Sequence, residues 1–340
     1  MPGIREAAGT IRCDNRIMNR QLIAPLLAAV CLAVATTATA QPPASSQQQP
    51  AAAAADPAAT LIKQGQQLLR EGRHDGALEA FVAAADKAPA KTAVRSTAEM
   101  QAGVVLDLLG RYAEARKRFA QAIDAAPSNT EKDRATRAMA MSYAFERNCD
   151  GAAGYAGPLY ERNLASGAFF DAGEVANELA RVCLESNSLD QAAIWYKRGY
   201  DAGLKELDLK PARRDLWEFR WEHAQARLAA RRGQAGEARR HVEAAKAALD
   251  KGTNPEQAPF FPYLVGYVAF YTGDLVTATA ELQKANQNDP FIICLLAQAY
   301  EKQGDKARAD ELYRKVLTSN AHNPTNAYAR PLAKQKLGMK

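Results

Sequence analysis

Apolar and small residues recur along this chain at helical spacing, and the recurrence itself repeats. Leu61, Gly65 and Leu68 lie three or four residues apart, and after Gly72 the series resumes with Ala77, Phe81 and Ala84 before Pro89. Such steps put these positions on one face of an α-helix. The break at Gly72 predicts a reversal, because glycine adopts the positive φ that a helix end often needs. The segment therefore predicts a helical hairpin. Seven hairpin tips are predicted, at Gly72, Gly110, Asn148, Asn187, Gly233, Gly273 and Gly304. Five residues beyond them stand Ala77, Ala115, Ala153, Ala192, Ala238, Ala278 and Ala309. A small residue fits there because the second helix crosses the first closely. Four residues further on stand Phe81, Phe119, Tyr196, Val242, Leu282 and Tyr313, whereas the third copy has Gly157 followed by Pro158. With Gly151 and Gly154 nearby, that copy predicts a short, bent or broken helix near 151–163.

Gly72 to Pro89 reads GRHDGALEAFVAAADKAP, and Gly110 to Pro127 reads GRYAEARKRFAQAIDAAP. A helix–turn–helix unit of this kind resembles the tetratricopeptide repeat, whose period is about 34 residues. The resemblance runs from residue 58 to about 320. It is strong at 58–127 and 262–318 and weak at 128–230. It implies an all-α fold, a right-handed superhelical solenoid of about seven hairpins with a C-terminal capping helix, and a role in holding partners rather than in a reaction. Hairpins one to four are expected over 58–200, a connection over 201–211, hairpins five to seven over 212–322, and a capping helix and tail over 323–340. The connection and the loop at 251–258 predict a flexible joint between the two groups of hairpins.

The N-terminal region changes the picture. Met18-Asn19-Arg20 precedes an apolar stretch from Leu22 to Ala35, 14 residues long, too short to span a bilayer comfortably. Ala38-Thr39-Ala40 then has the small-x-small form of a signal-peptide cleavage site. The reading is a signal peptide over 1–40, with translation expected to start at Met18, and a disordered Pro/Gln/Ala-rich linker over 41–57. Export, with the periplasm as destination, follows as an expectation. Removing 1–40 takes away four arginines and two acids and lowers the net charge from +6 to +4. Nucleic acid is then not an expected partner, and no stable membrane insertion is expected after cleavage. Cys149, Cys183 and Cys294 remain. In an oxidising compartment two of them can pair. Stacked repeats bring Cys149 near Cys183, the favoured bridge, while three reduced buried thiols remain the alternative.

Little in the sequence can carry catalysis. No two of His74, His223, His241 and His322 have metal-ligand spacing on one helix, and G-x-S-x-G, phosphate-loop and H-E-x-x-H patterns are absent. No cofactor, no metal and no enzyme activity are expected. The resemblance implies a groove lined by the first helix of each hairpin. Its places hold Arg220, His223, Arg227 and Arg231 in the fifth hairpin and Phe260, Tyr263, Tyr267, Phe270 and Tyr271 in the sixth. Arginine forks hold carboxylates, and tyrosine rings give apolar area with a polar tip. A protein or peptide segment with acidic groups would suit both; so would a carbohydrate or envelope polymer, the alternative. At this spacing the same aromatics also suit packing between helices. The lysine and asparagine pattern by which related proteins clamp a chaperone tail is not met by Ile62, Gln66, Met100, Val104, Asn177 or Arg181.

Overall fold

A computed structural model describes residues 56–339. The expected signal peptide and all but the last two residues of the expected linker lie outside them. The described residues form an all-α superhelical solenoid. Its hairpins are α1 (Pro57–Arg70) with α2 (His74–Lys87), α3 (Ala93–Leu109) with α4 (Tyr112–Ala125), and α5 (Asn129–Phe145) with α6 (Cys149–Ala165). They continue with α7 (Phe169–Glu185) and α8 (Leu189–Gly203), α9 (Pro211–Arg231) and α10 (Ala235–Asp250), α11 (Phe261–Thr272) and α12 (Leu275–Lys284), and α13 (Pro290–Lys302) and α14 (Lys306–Val316). A 3₁₀ turn, Pro255–Phe260, precedes α11, and α15 (Pro324–Lys336) ends the fold. First helices pack on one another, α1 on α3, α3 on α5, α9 on α11 and α11 on α13, and so form the inner layer.

Each tip is a left-handed residue two positions before the second helix. Six are the expected ones, with φ between 63° at Asn187 and 91° at Gly273. In the third hairpin the structure moves the tip from Asn148 to Arg147, φ 55°. Asn148 instead caps α6, its side chain accepting the Gly151 N–H. The small position therefore shifts to Ala152, which is buried, and the next to Ala156. Seven residues before the tips lie Gly65, Gly103, Ala140, Ala180, Ala226, Gly266 and Ala297, the other half of each close crossing. A Cβ on Gly103 would stand 2.7 Å from the Phe119 ring, and one on Gly65 2.7 Å from Phe81.

One expectation is corrected. Helix α6 is continuous over 17 residues with Pro158 inside it. Pro158 and Gly154, four residues earlier, are both exposed, so the carbonyl that loses its N–H partner faces water and the helix survives. The 201–211 connection is partly helical and tied to α9. Helix α8 runs on to Gly203, and Trp217, fully buried, packs against Gly173 and Gly203 and donates its indole N–H to Glu206 at 2.8 Å.

The C-terminal segment does more than cap the last hairpin. Helix α15 packs on α13 and α14 and also on α5 and α7. The Asn320 amide donates to Leu69 O, and its Oδ1 pairs with His74 Nε2 at 2.8 Å. His322 Nε2 bonds the Asp107 carboxylate at 2.8 Å, which also accepts from Ser142 Oγ. Arg330 Nε and Lys334 Nζ donate to Leu108 O and Leu109 O at the end of α3. Cations suit these carbonyls because a helix C-terminus carries partial negative charge. The first hairpins and the last are thereby joined directly.

Cys149 and Cys183 form a disulfide between α6 and α7, with Cα atoms 4.7 Å apart. Cys294 is a buried thiol.

Candidate functional site

The inner layer opens into a cavity of about 420 Å³. Helix α7 contributes Glu174, Asn177, Glu178 and Arg181, α8 Tyr196, and α9 Phe219, Arg220, His223 and Arg227. The 3₁₀ turn adds Gln257 and Phe260, α11 adds Tyr263, and the start of α13 adds Asp289 and Ile292. Asn323, Pro324 and Thr325 close one wall. A second hollow of about 230 Å³, lined by Met100, Val104, Arg137, Met141 and His322 among others, shares Glu178 and Asn323 with the first. The two make one tract along the first helices.

Helical spacing builds the cavity floor. Glu174, Glu178, Arg181 and Glu185 fall on one stripe of α7, and Arg220, His223, Arg227 and Arg231 on one stripe of α9. Three pairs across the stripes share an offset of 46 residues, Glu174 with Arg220, Arg181 with Arg227 and Glu185 with Arg231. Arg220 pairs with Glu174, and Arg231 with Glu185 at 3.1 Å. At the same offset Arg227 is the register partner of Arg181, so the middle rung has two guanidinium groups and no carboxylate. Nε and Nη2 of Arg181 and Nη1 of Arg227 are buried without a hydrogen-bond partner among the described residues. So are the hydroxyls of Tyr196 and Tyr263 and Nε2 of His223.

The nearby acids are committed elsewhere. Glu178 takes the Arg137 guanidinium at 2.6 Å, and Asp289 accepts the Phe291 N–H at the start of α13. Glu185 accepts from Arg231 and, at 3.4 Å, from the Tyr267 hydroxyl. Burial pushes the Glu185 carboxyl above its ordinary range, and Arg231, Arg181 and Arg227 oppose that push. Burial, then the Arg227 and Arg181 charges, hold the His223 imidazole well below its ordinary value. It is therefore neutral at pH 7, while arginines stay cationic.

The structure divides the sequence-derived groove residues. Arg220, His223, Arg227 and Tyr263 line the cavity, with Phe260 at its mouth. Arg231 lies behind it, held by Glu185, Asn187 and the Tyr271 ring 4.8 Å away. Tyr267 and Phe270 are core, 0% and 7% exposed, and Tyr271 packs half-buried against Tyr267. They leave the groove because α11 is apolar on every side and lies between α9 and α13. Sequence reasoning missed Arg181 as a site residue, and Tyr196, which it assigned to helix packing. The shared 46-residue offset of the two stripes is the signal that could have found Arg181. Among the described residues no group of His, Cys, Asp and Glu is arranged to hold a metal ion, and no helix is long and apolar enough to cross a membrane.

No curated protein matches the chain. Among solved structures, it is similar to a tetratricopeptide repeat protein from Parabacteroides merdae, 16% identical, TM-score 0.49, over 83% of this chain and 97% of that one. It is also similar to a putative kinesin light chain with nearly identical TPR-like repeats from Podosopora anserina, 15% identical, TM-score 0.29, over 76% and 94%. The sequence model of the tetratricopeptide repeat matches residues 292–323. That span holds nearly all of α13 and the whole of α14, so the seventh hairpin matches the tetratricopeptide repeat, and hairpins of the same helix–turn–helix form recur six times before it.

Proposed function

We propose that the protein is an exported, non-catalytic scaffold of the periplasm that docks a protein segment along its inner face. Repeats of this family generally serve protein interaction. The observation that carries the reading is the continuous tract from Met100 and Met141, past Glu178 and Asn323, to Arg220 and Phe260. It is lined mainly by first helices and alternates apolar and charged groups, as an extended segment requires. The leader-like sequence supports export, and a disulfide between α6 and α7 suits an oxidising compartment. A sugar-binding reading would need open ring faces, and of the aromatics lining the cavity Tyr196, Phe219 and Tyr263 are buried while Phe260 alone is exposed.

Affinity capture with crosslinking from an envelope extract tests this. The mature chain is compared with an Arg137→Ala, Arg220→Ala, Phe260→Ala variant that keeps its helical spectrum. A protein captured by the parent and lost in the variant supports docking on the inner face. Capture indifferent to the three changes refutes it.

A further inference from the structure

The stripes of α7 and α9 form a ladder whose outer rungs each join one carboxylate to one guanidinium, Glu174 with Arg220 and Glu185 with Arg231. The middle rung, Arg181 and Arg227, lacks its carboxylate. We propose that a ligand supplies it: the cavity binds a carboxylate carried on an apolar body, the carboxylate between Arg181 and Arg227 and the body against Phe219, Phe260 and Ile292. The inference deepens the docking reading and rests on it for the location of the site.

Three features lead to this chemistry. Nε and Nη2 of Arg181 form one edge of its guanidinium, and both lack a partner. That edge is the fork that matches the two oxygens of a carboxylate. The guanidinium carbon lies over the Phe291 and Tyr263 rings, 5.0 Å and 5.7 Å from their centroids. Arg227 Nη1 and the hydroxyls of Tyr196 and Tyr263 are further unpartnered donors around the same cavity. Charge points the same way. The acids whose charge reaches Arg181 are Asp289 and Glu185; Asp289 is already bonded to the Phe291 N–H and Glu185 to Arg231. Buried cations are unfavourable without a counter-charge, and an incoming carboxylate meets donors already in place. The aromatic and aliphatic walls give the rest of the ligand an apolar surface to bury.

The test is calorimetric titration of the mature chain with N-acetylphenylalanine, its amide, acetyl-Ala-Ala-Phe with a free carboxylate, and inorganic phosphate. The expected result is saturable binding of the two free acids, at least tenfold weaker binding of the amide, and at least tenfold loss of acid binding in Arg181→Met. Arg227→Met should show the same loss, and Arg240→Met, on the exposed face of α10, should show none. Tighter binding of the tripeptide would name a chain end as the source of the carboxylate, and tighter binding of the single residue a small free acid. Equal binding of acid and amide, binding of phosphate alone, or no binding of either acid overturns the proposal. If envelope capture still depends on Arg137, Arg220 and Phe260 while both acids fail to bind, the docking reading stands and the carboxylate assignment falls.

Discussion

Replacing Arg181 with methionine should make the ligand-free protein more stable, although it removes a charged residue from the centre of the inner layer. Arg181 makes no hydrogen bond among the described residues, and its Nε and Nη2 are buried. Each buried N–H without a partner costs roughly 1–3 kcal/mol, so the pair costs about 2–6 kcal/mol. Against this stand the cation–π contacts with Phe291 and Tyr263, each worth roughly 0.5–2 kcal/mol. Methionine keeps the aliphatic volume, and its sulfur packs well on ring edges. The difference is a gain of about 1–2 kcal/mol. In a domain of this size that raises Tm by roughly 2–3 °C. Scanning calorimetry of the two proteins without ligand, at equal concentration and pH, measures it. A Tm lower by more than about 2 °C would refute the reasoning, because it would show that the protein itself satisfies the Arg181 charge. Stability gained and acid binding lost in the same variant would mark Arg181 as retained for binding.

The remaining expectations concern the scaffold. Burial pushes the Cys294 thiol up to about 12, so it should resist iodoacetamide at pH 8.5 in the folded chain and react after unfolding. The folded state keeps that proton longer than the unfolded chain, whose thiol titrates near 8.5, so this contribution to stability is whole below about pH 8.5 and is lost as pH rises towards 12. Reducing the Cys149–Cys183 bridge, which spans 34 residues, should lower stability by about 4 kcal/mol by loop closure; a urea midpoint unchanged by reductant would contradict this. Gly103→Ala should destabilise by about 1–2 kcal/mol, since crowding of Phe119 outweighs the better helix propensity. Gly154→Ala, with open space around it, should stabilise by up to about 1 kcal/mol. Arg330→Ala removes donors to Leu108 O, Leu317 O and Ser319 O and should speed hydrogen exchange at the end of α3; unchanged exchange there would show that the segment is held by other contacts.

The hairpins were legible because each tip needs a left-handed residue, most often glycine, and the helix crossing five residues later needs a small one. The third was read one residue out of register, since Arg147 takes the left-handed conformation that the neighbouring Asn148 favours on propensity. The asparagine is used for its side chain, as a helix cap. Half of the site was legible for a similar reason. Arg220, His223 and Arg227 on α9 and Tyr263 on α11 stand at the groove places that the resemblance implies. What separates Tyr263 from Tyr267 and Phe270 is which hairpins lie over each turn of α11, and the repeat pattern does not encode that. The long return of α15 to α5 and α7 was not legible either, because 323–337 reads the same whether it caps one repeat or bridges two ends.

That return has a kinetic consequence. Asn320 bonds to His74 and to Leu69, partners 246 and 251 residues away along the chain. Hairpins whose contacts are local can form within microseconds to milliseconds, whereas closures of such length are slow. During synthesis the amino-terminal hairpins emerge first, and Leu108 O and Leu109 O at the end of α3 wait for Arg330 and Lys334 to arrive. A linear repeat array can assemble and fray one unit at a time. This one is completed only when residues 320–334 are seated, so the arrival of that segment, rather than the emergence of any earlier repeat, should time the appearance of the native fold.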